Sequence, residues 1–495
     1  MKQKYPNKEV IAPGTVIISA AGNCNNISKV VEPVLQKNSG PIYYINLSND
    51  SHQLGGSSFA QTQNKIGTTA PDVTNSKKII TTFNTIQQLI QDDHIVAGHD
   101  ISAGGLLTTL LEMCFADEEL SAQIDLSSIG EEDSIKLLFS ENCGIVFQAK
   151  SEQIEQYFKD TDIAVFKIGT VRTGQTLLVK NNSFEYVFNI PKLRDTWFET
   201  SHLLDQKQSG VVKAKERFEN YKNQTLQFKF PDHFTGLLPK IDSSKPKPKA
   251  AILREKGSNS EREMAHAMYL AGFDVKDVHM TDLISGRETL EDIQFIGAVG
   301  GFSNSDVLGS AKGWAGAFMY NEKAKASLEK FFAREDVLSV GICNGCQLFV
   351  ELNLINSEHT VSPKMAHNDS NKHESGFTSV EILENTSVML SSLAGSKLGV
   401  WISHGEGKFI LPLSEDQYQL VAKYGYQGYP ANPNGSDYNT AMMCNADGRH
   451  LVMMPHIERS IFQWNWANYP AGRKDEVSPW IEAFVNARKW IENKK

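Results

Sequence analysis

The stretch Val340-Gly341-Ile342-Cys343-Asn344-Gly345-Cys346-Gln347 decides the fold of the C-terminal half of the chain. An apolar run, Val337 to Ile342, reads as a strand that delivers a cysteine between two glycines, and a helix is expected from Gln347 to Leu354. Strand, tight elbow and helix form the arrangement that lifts a nucleophile to the carboxyl edge of a parallel sheet. Small neighbours are required, because side chains beside the elbow would clash with its flanking backbone. The first backbone N–H groups of the helix lack internal partners, so they favour a thiolate and a developing oxyanion. Cys343 occupies the centre of G-x-C-x-G, whereas Cys346 lies nearly one turn into the helix and is expected to pack.

Working outward, short apolar strands are expected at Ala250–Leu253, Phe273–Val278 and Phe295–Val299, and a helix at Glu261–Ala271 with Met264, Ala267, Met268 and Ala271 on one face. Alternating strands and helices with apolar strands imply a mostly parallel, doubly wound α/β sheet, whose reactive groups gather at the carboxyl ends of the strands. A thiol with a pKa of about 8.5 is only a few per cent ionised at neutral pH and needs a base. His456 is the candidate: the strand Leu451–Met454 ends at Pro455 and sets the histidine on a loop, with Glu458 two residues on to receive the imidazole N–H. A third element is Val299-Gly300-Gly301-Phe302-Ser303, where bare backbone N–H groups can approach a substrate carbonyl and form an oxyanion hole with the N–H of Asn344.

The preceding half mixes both periods. Thr15–Ala20, Ile42–Leu47 and Gly144–Gln148 read as strands, Thr82–Gln91 and Leu106–Phe115 as amphipathic helices, giving an α/β or α+β domain. Val211 to Lys229 reads as a charged, partly helical connector, and the polar, proline-punctuated run Asp242–Lys249 as an extended strap. Net charge of −9 argues against nucleic acid or an anionic membrane surface as the main partner. No apolar run reaches the roughly 18 residues of a membrane span, and no signal-peptide core follows the basic start Met1-Lys2-Gln3-Lys4. The six scattered cysteines are no disulfide framework and make the reducing cytoplasm the expected compartment. No cysteine–histidine spacing indicates a structural zinc site. The run Glu131–Asp133 is expected to be solvated, and Phe462, Trp464, Trp466, Tyr469 and Trp480 to pack in a core or interface.

The words G-I-C-N-G-C-Q and P-H-x-E-R resemble the glutaminase domain of triad-type (class I) glutamine amidotransferases. With G-G-F-S and H-G-E-G (His404 to Gly407), they are similar to those of the phosphoribosylformylglycinamidine synthase family. The resemblance extends to the first half through Leu54-Gly55-Gly56-Ser57, Ala70-Pro71-Asp72-Val73, His99-Asp100-Ile101-Ser102-Ala103-Gly104-Gly105-Leu106 and Phe139-Ser140-Glu141. It implies an N-terminal extension over residues 1–14 and an α+β domain like the C-terminal domain of aminoimidazole ribonucleotide synthetase over 15–190. A connector and linker over 191–248 and a doubly wound α/β glutaminase domain over 249–495 would follow. It further implies that Cys343 attacks the side-chain amide of glutamine, that His456 shuttles the proton and that Glu458 orients it. Gly301, Asn344 and Gln347 would serve the oxyanion and substrate, and His404 would either line the pocket or hold it in shape.

Ammonia would pass to a synthetase that uses ATP and Mg2+ to convert formylglycinamide ribonucleotide to the amidine. Asp100 and Ser102 would touch the magnesium nucleotide, with Asp100 as the metal ligand. Gly104 and Gly105 would allow close backbone approach at a helix start, although His99 and Asp100 could instead be a polar pair capping that helix. Ala103 stands where the family commonly has aspartate, Ser303-Asn304-Ser305-Asp306 replaces S-Y-G-D, and His373-Glu374-Ser375-Gly376 replaces F-E-[AS]-R. Family chains are far longer, so this sequence is expected to be a C-terminal portion, competent alone only as a glutaminase and joined by the remaining N-terminal portion of the synthase. Rival readings are the glutaminase of another triad amidotransferase and a catalytically silent docking fragment.

Overall fold

The computed structural model describes residues 2–11, 17–26, 29–48, 52–223, 226–242, 244–470 and 472–494. It divides into two units, Met1–Asp195 and Thr196–Lys495. The first opens with an antiparallel hairpin of Lys2–Tyr5 and Lys8–Ile11. Of the strand expected over Thr15–Ala20, Thr15 and Val16 lie outside the described residues. The remainder forms no strand, with Ile17 and Ile18 86% and 87% exposed. β-Branched residues favour a pleated, half-buried surface, and among the described residues no strand pairs with this segment to supply one.

The main sheet of this unit has seven strands. Their order is Ile95–Asp100, Gly144–Ala149, Ile42–Asn46, Val165–Thr173, Leu120–Asp125, Thr176–Asn181 and Phe184–Asn189. Only Leu120–Asp125 and Thr176–Asn181 pair in parallel, so the unit is α+β. Ile42–Asn46 is buried on both faces: Ile42 and Tyr44 join one apolar cluster, Tyr43 and Ile45 another. The expected helix Thr82–Gln91 starts earlier, at Ser76, because Asn75 caps it by accepting the Lys78 N–H at 3.1 Å. The helix expected over Leu106–Phe115 spans Gly105–Glu112. Asp133, expected to be merely solvated, caps the helix Ser134–Phe139 through the N–H groups of Ile135 and Lys136.

The second unit carries a nine-stranded sheet. Its order is Asp274–His279, Lys249–Arg254, Phe295–Ala298, Leu338–Ile342, His450–Met453, Thr440–Cys444, Gln419–Tyr424, Glu374–Ile382 and Lys397–His404. The first five are mutually parallel, as expected. The remaining pairings are antiparallel, which corrects the expectation of a mostly parallel sheet. The turn at 445–449 between Thr440–Cys444 and His450–Met453 is short enough only for antiparallel neighbours, since a parallel pair needs a crossover of a dozen or more residues. Helix Glu261–Ala271 forms where expected, with Met264, Ala267, Met268 and Ala271 all buried.

The connector is more ordered than its charge suggests. Helical residues run over Ile190–Asn220, broken at Gly210, whose φ of 77° and ψ of 162° turn the chain back on itself. The two arms fold together through Phe198, His202, Phe218 and Tyr221. The expected aromatic core holds in part: Trp466 and Trp480 are buried, whereas Trp464 is exposed and stacks on Phe462. Among the described residues, no helix is long and apolar enough to cross a membrane.

Trp480 is fully buried and donates its indole N–H to Gly399 O at 2.8 Å. Trp480→Ala is expected to destabilise the second unit by about 3–5 kcal/mol, read as a lower midpoint of denaturant unfolding; an unchanged midpoint would show that this packing contributes little.

Candidate active site

Three adjacent parallel strands end side by side. Ala298 pairs with Gly341, and Ile342 with Met453, so the residues just beyond these ends emerge next to one another. Beyond Phe295–Ala298 come Gly300 and Gly301, beyond Leu338–Ile342 comes Cys343, and beyond His450–Met453 comes His456. A Cβ added at Gly300 would lie 2.8 Å from His456 Cε1 and 3.3 Å from Cys343 Cβ. Only glycine admits both side chains there.

Cys343 is the elbow itself, with φ 52° and ψ −107°. Such a conformation costs a non-glycine residue about 1–3 kcal/mol. It is held from both sides: the Cys343 N–H donates to Met453 O at 2.8 Å, and its carbonyl accepts the Gln347 N–H at 3.0 Å. The helix therefore begins at Asn344, three residues before the expected start, and spans Asn344–Glu351 because Cys343 serves as its cap. Asn353, with φ 52°, follows its end. The Gly345 Cα sits so close to the neighbouring strand that a Cβ would meet Ala298 O at 2.0 Å. Cys346 is fully buried, and burial pushes its thiol well above the ordinary value, which suits packing rather than reactivity.

The Cys343 thiol donates to Ser403 O at 3.5 Å and stands beside the His456 ring across Gly300. His456 Nδ1 donates to Glu458 Oε1 at 2.6 Å, and both side chains are buried. Burial disfavours the imidazolium, but the Glu458 carboxylate and the thiol outweigh it and raise the His456 pKa to about 10. Burial pushes Glu458 up, yet His456 and then Arg459 hold its carboxyl below the usual range. The His456 N–H is itself fixed by Trp401 O at 2.8 Å. Ser403 and Trp401 thus hold Cys343 and His456 through backbone carbonyls, contacts their side chains could not announce in the sequence.

The other expected site residues surround this pair. Gly301 has φ 117°, and a Cβ there would lie 2.6 Å from Ser258 Cα. Asn344 accepts the Ser303 N–H at 3.3 Å and donates through Nδ2 to Gln347 Oε1 at 3.0 Å. Gln347 Nε2 donates to Glu406 O at 2.7 Å, so its amide ties H-G-E-G to the elbow helix. His404 is buried with Nδ1 against Asn368 Oδ1 at 3.2 Å; burial, with His456 and His373 adding, lowers its pKa to about 3. Its imidazole is neutral, and buried Nε2 has no partner among the described residues. Asn368, which also donates to His404 O at 2.7 Å, carries no motif that could have flagged it.

In the first unit, Asp100 ends the strand Ile95–Asp100 with its carboxylate 76% exposed, and exposed Ser102 follows. His99 Nδ1 donates to Asp100 O at 2.7 Å; the side chain of Asp100 does not cap the next helix, whose cap is Gly104 with φ 90°. The N–H of Gly104 donates to Glu141 Oε1 at 2.9 Å and that of Gly105 to Ser102 O at 3.0 Å. This corrects the expectation that these glycines present their backbone to a ligand. Gly105 is required instead for packing, since a Cβ would meet Leu138 O and Ser140 O at 2.8 Å. Glu141 Oε1 also accepts the Ser58 N–H at 2.7 Å and so joins L-G-G-S to H-D-I-S-A-G-G. Among the described residues no group of three or more histidine, cysteine or carboxylate side chains could hold a metal ion.

Residues 247–491 match the CobB/CobQ-like glutamine amidotransferase domain, and residues 42–180 the C-terminal domain of AIR synthase related proteins. An Arabidopsis thaliana protein named "Probable phosphoribosylformylglycinamidine synthase, chloroplastic/mitochondrial" is 37% identical over 99% of this chain and 37% of that protein. The Homo sapiens phosphoribosylformylglycinamidine synthase is 35% identical over 99% of this chain and 39% of its own length. The Dictyostelium discoideum enzyme of that name is 34% identical over 98% of the chain and 40% of its own. The chain thus spans 37% to 40% of the length of these relatives. With both domains matched in order and the alignments covering nearly the whole chain, the chain is similar throughout its length to phosphoribosylformylglycinamidine synthases.

Proposed function

We propose that the second unit hydrolyses glutamine to supply ammonia for an ATP-dependent amidine synthesis, the conversion of formylglycinamide ribonucleotide to formylglycinamidine ribonucleotide in purine biosynthesis. The observation that carries this reading is the buried line Cys343–His456–Glu458 at the ends of neighbouring strands. With its proton held by His456, the Cys343 sulfur attacks the side-chain amide carbon of glutamine. The resulting oxyanion meets the backbone N–H groups of Gly301 and Asn344, each such donor being typically worth about 3–4 kcal/mol. The imidazolium gives its proton to the leaving nitrogen, and ammonia departs from a glutamyl thioester. Neutral His456 then takes a proton from water, whose oxygen displaces the thiol and releases glutamate. Glu458 keeps Nδ1 protonated and the ring oriented throughout. The orphan Nε2 of His404 supports a place for that residue as an acceptor beside the substrate.

For the first unit, a magnesium nucleotide would supply the phosphoryl group that activates the formyl oxygen for displacement by ammonia. Magnesium takes hard oxygen ligands and usually keeps water and phosphate oxygens beside one or two carboxylates. Exposed Asp100 fits as one such ligand, with the Ser102 hydroxyl next to it. The remaining N-terminal portion of the synthase would be the partner. The six unpaired cysteines support a reducing compartment, the cytoplasm.

An electrophilic glutamine analogue is expected to modify the chain at Cys343, located by peptide mass spectrometry. Cys343→Ala should abolish the labelling and Cys346→Ala should leave it; label surviving Cys343→Ala would refute the nucleophile. Stability gives a second check. The His456 pKa rises from 6.5 unfolded to about 10 folded, so its contribution is complete below pH 6.5 and is lost as pH climbs through about 10. Glu458, lowered from 4.5, contributes above that value and loses its share as pH falls. The stability gap between the parent chain and Glu458→Gln in urea unfolding should therefore peak at about pH 5–6.5 and shrink towards pH 10. A gap that widens over that range would contradict the pair.

A further inference from the structure

The strand Glu374–Ile382 runs antiparallel to Lys397–His404, with Glu374 opposite His404 and Ser375 opposite Ser403. This end of the pair touches the reacting groups: Ser403 O receives the Cys343 thiol, Trp401 O the His456 N–H, and Ser403 Oγ lies 3.1 Å from His373 Nε2. Glu374, at its root, is buried. Its carboxylate accepts the Tyr429 hydroxyl at 2.9 Å, and the cation that neutralises it is Arg217, Nη2 at 3.3 Å.

Arg217 belongs to the second arm of the connector hairpin, not to the sheet. It also hydrogen-bonds Tyr429 Oη, covers the Tyr429 ring at 4.7 Å and pairs with Asp205 of the first arm at 3.5 Å. Asp205 meets Lys372, two residues ahead of Glu374, at 2.9 Å. The same arm holds the far side of Tyr429, because Glu216 accepts the Tyr429 N–H at 3.2 Å and Asn220 donates to its carbonyl at 2.8 Å. A buried carboxylate left without its cation loses the charge that offsets its burial, and here it sits at the base of the strand pair that fixes thiol and imidazole.

We propose that Arg217 is a positioning residue for glutamine hydrolysis: by neutralising Glu374 it holds Ser403 and Trp401 in the places that orient Cys343 and His456. This makes the connector hairpin part of the glutaminase site. It rests on the reading of Cys343 as the glutamine nucleophile.

The test uses the full chain, with labelling of Cys343 by an electrophilic glutamine analogue resolved into binding and reaction steps. Arg217→Met is expected to slow the reaction step about 10- to 100-fold, with the binding constant nearly unchanged. Arg217→Met combined with Glu374→Gln should label as fast as Glu374→Gln alone, because no buried charge is then left unpaired. A role confined to packing the hairpin would give no such recovery. Should Arg217→Met fail to fold, the comparison between the double variant and Glu374→Gln decides alone: equal rates support the proposal, and a slower double variant overturns it. Labelling of Arg217→Met at the parent rate overturns the proposal but leaves the glutaminase reading intact. A parent chain that takes no label at Cys343 overturns both.

Discussion

The register between Phe295–Ala298, Leu338–Ile342 and His450–Met453 is the constraint on which the candidate site depends. Neighbouring strands lie about 4.8 Å apart, so residues one to three places beyond aligned ends fall within side-chain reach of each other. That spacing brings Cys343 and His456 together across Gly300 without any long loop to position them. A slip of one residue would also turn every buried side chain of a strand to the opposite face. Leu338, Val340 and Ile342, which share one face of their strand, are buried in the apolar core, as are Phe295, Ile296, Leu451 and Val452, so the core that stabilises the unit also fixes where the candidate site sits. The contact of Gly345 with Ala298 O extends the lock from strand to helix.

Within that frame the site breaks local rules. A cysteine adopts a left-handed elbow, an ion pair of histidine and glutamate is enclosed away from water, and His404 Nε2 is left without a partner. Each is unfavourable alone, and such departures persist where the surrounding structure over-determines them. The backbone bonds at Cys343 and His456, to Met453 and Trp401, are that over-determination. Buried ion pairs gain little net energy over apolar packing, whereas removing one partner is costly.

The elbow was legible because its demands are local: a strand end, a cysteine and small residues on either side all fall within G-I-C-N-G. His456 was legible for a similar reason, a strand end marked by proline. What escaped sequence reading depends on long-range geometry or on caps. The helix start at Asn344 follows from Cys343 acting as a cap, and the start at Ser76 from Asn75. Ser403 and Trp401 act through carbonyls that every residue possesses. The engagement of Gln347 with Glu406 and the pairing of Arg217 with Glu374 join positions 59 and 157 residues apart. The apolar run at 17–18 read as a strand only because propensity cannot report whether a partner edge exists.

The first unit shows how a helix start can lose the ligand its geometry suggests. Free N–H groups after a glycine turn are a ready anion site, and H-D-I-S-A-G-G reads as one. The anion already present is Glu141, whose single Oε1 takes the N–H of Gly104 and that of Ser58. Donors engaged in this way are not free for a phosphate. The loop's contribution is then geometric: Glu141 draws two glycine-bearing segments together, Gly105 lets the helix lie against the backbone of Leu138–Ser140, and the turn so fixed presents Asp100 and Ser102 outward. A carboxylate presented outward on a turn fixed in this way suits a hard cation, whose remaining ligands come from phosphate and water, better than it suits direct capture of an anion.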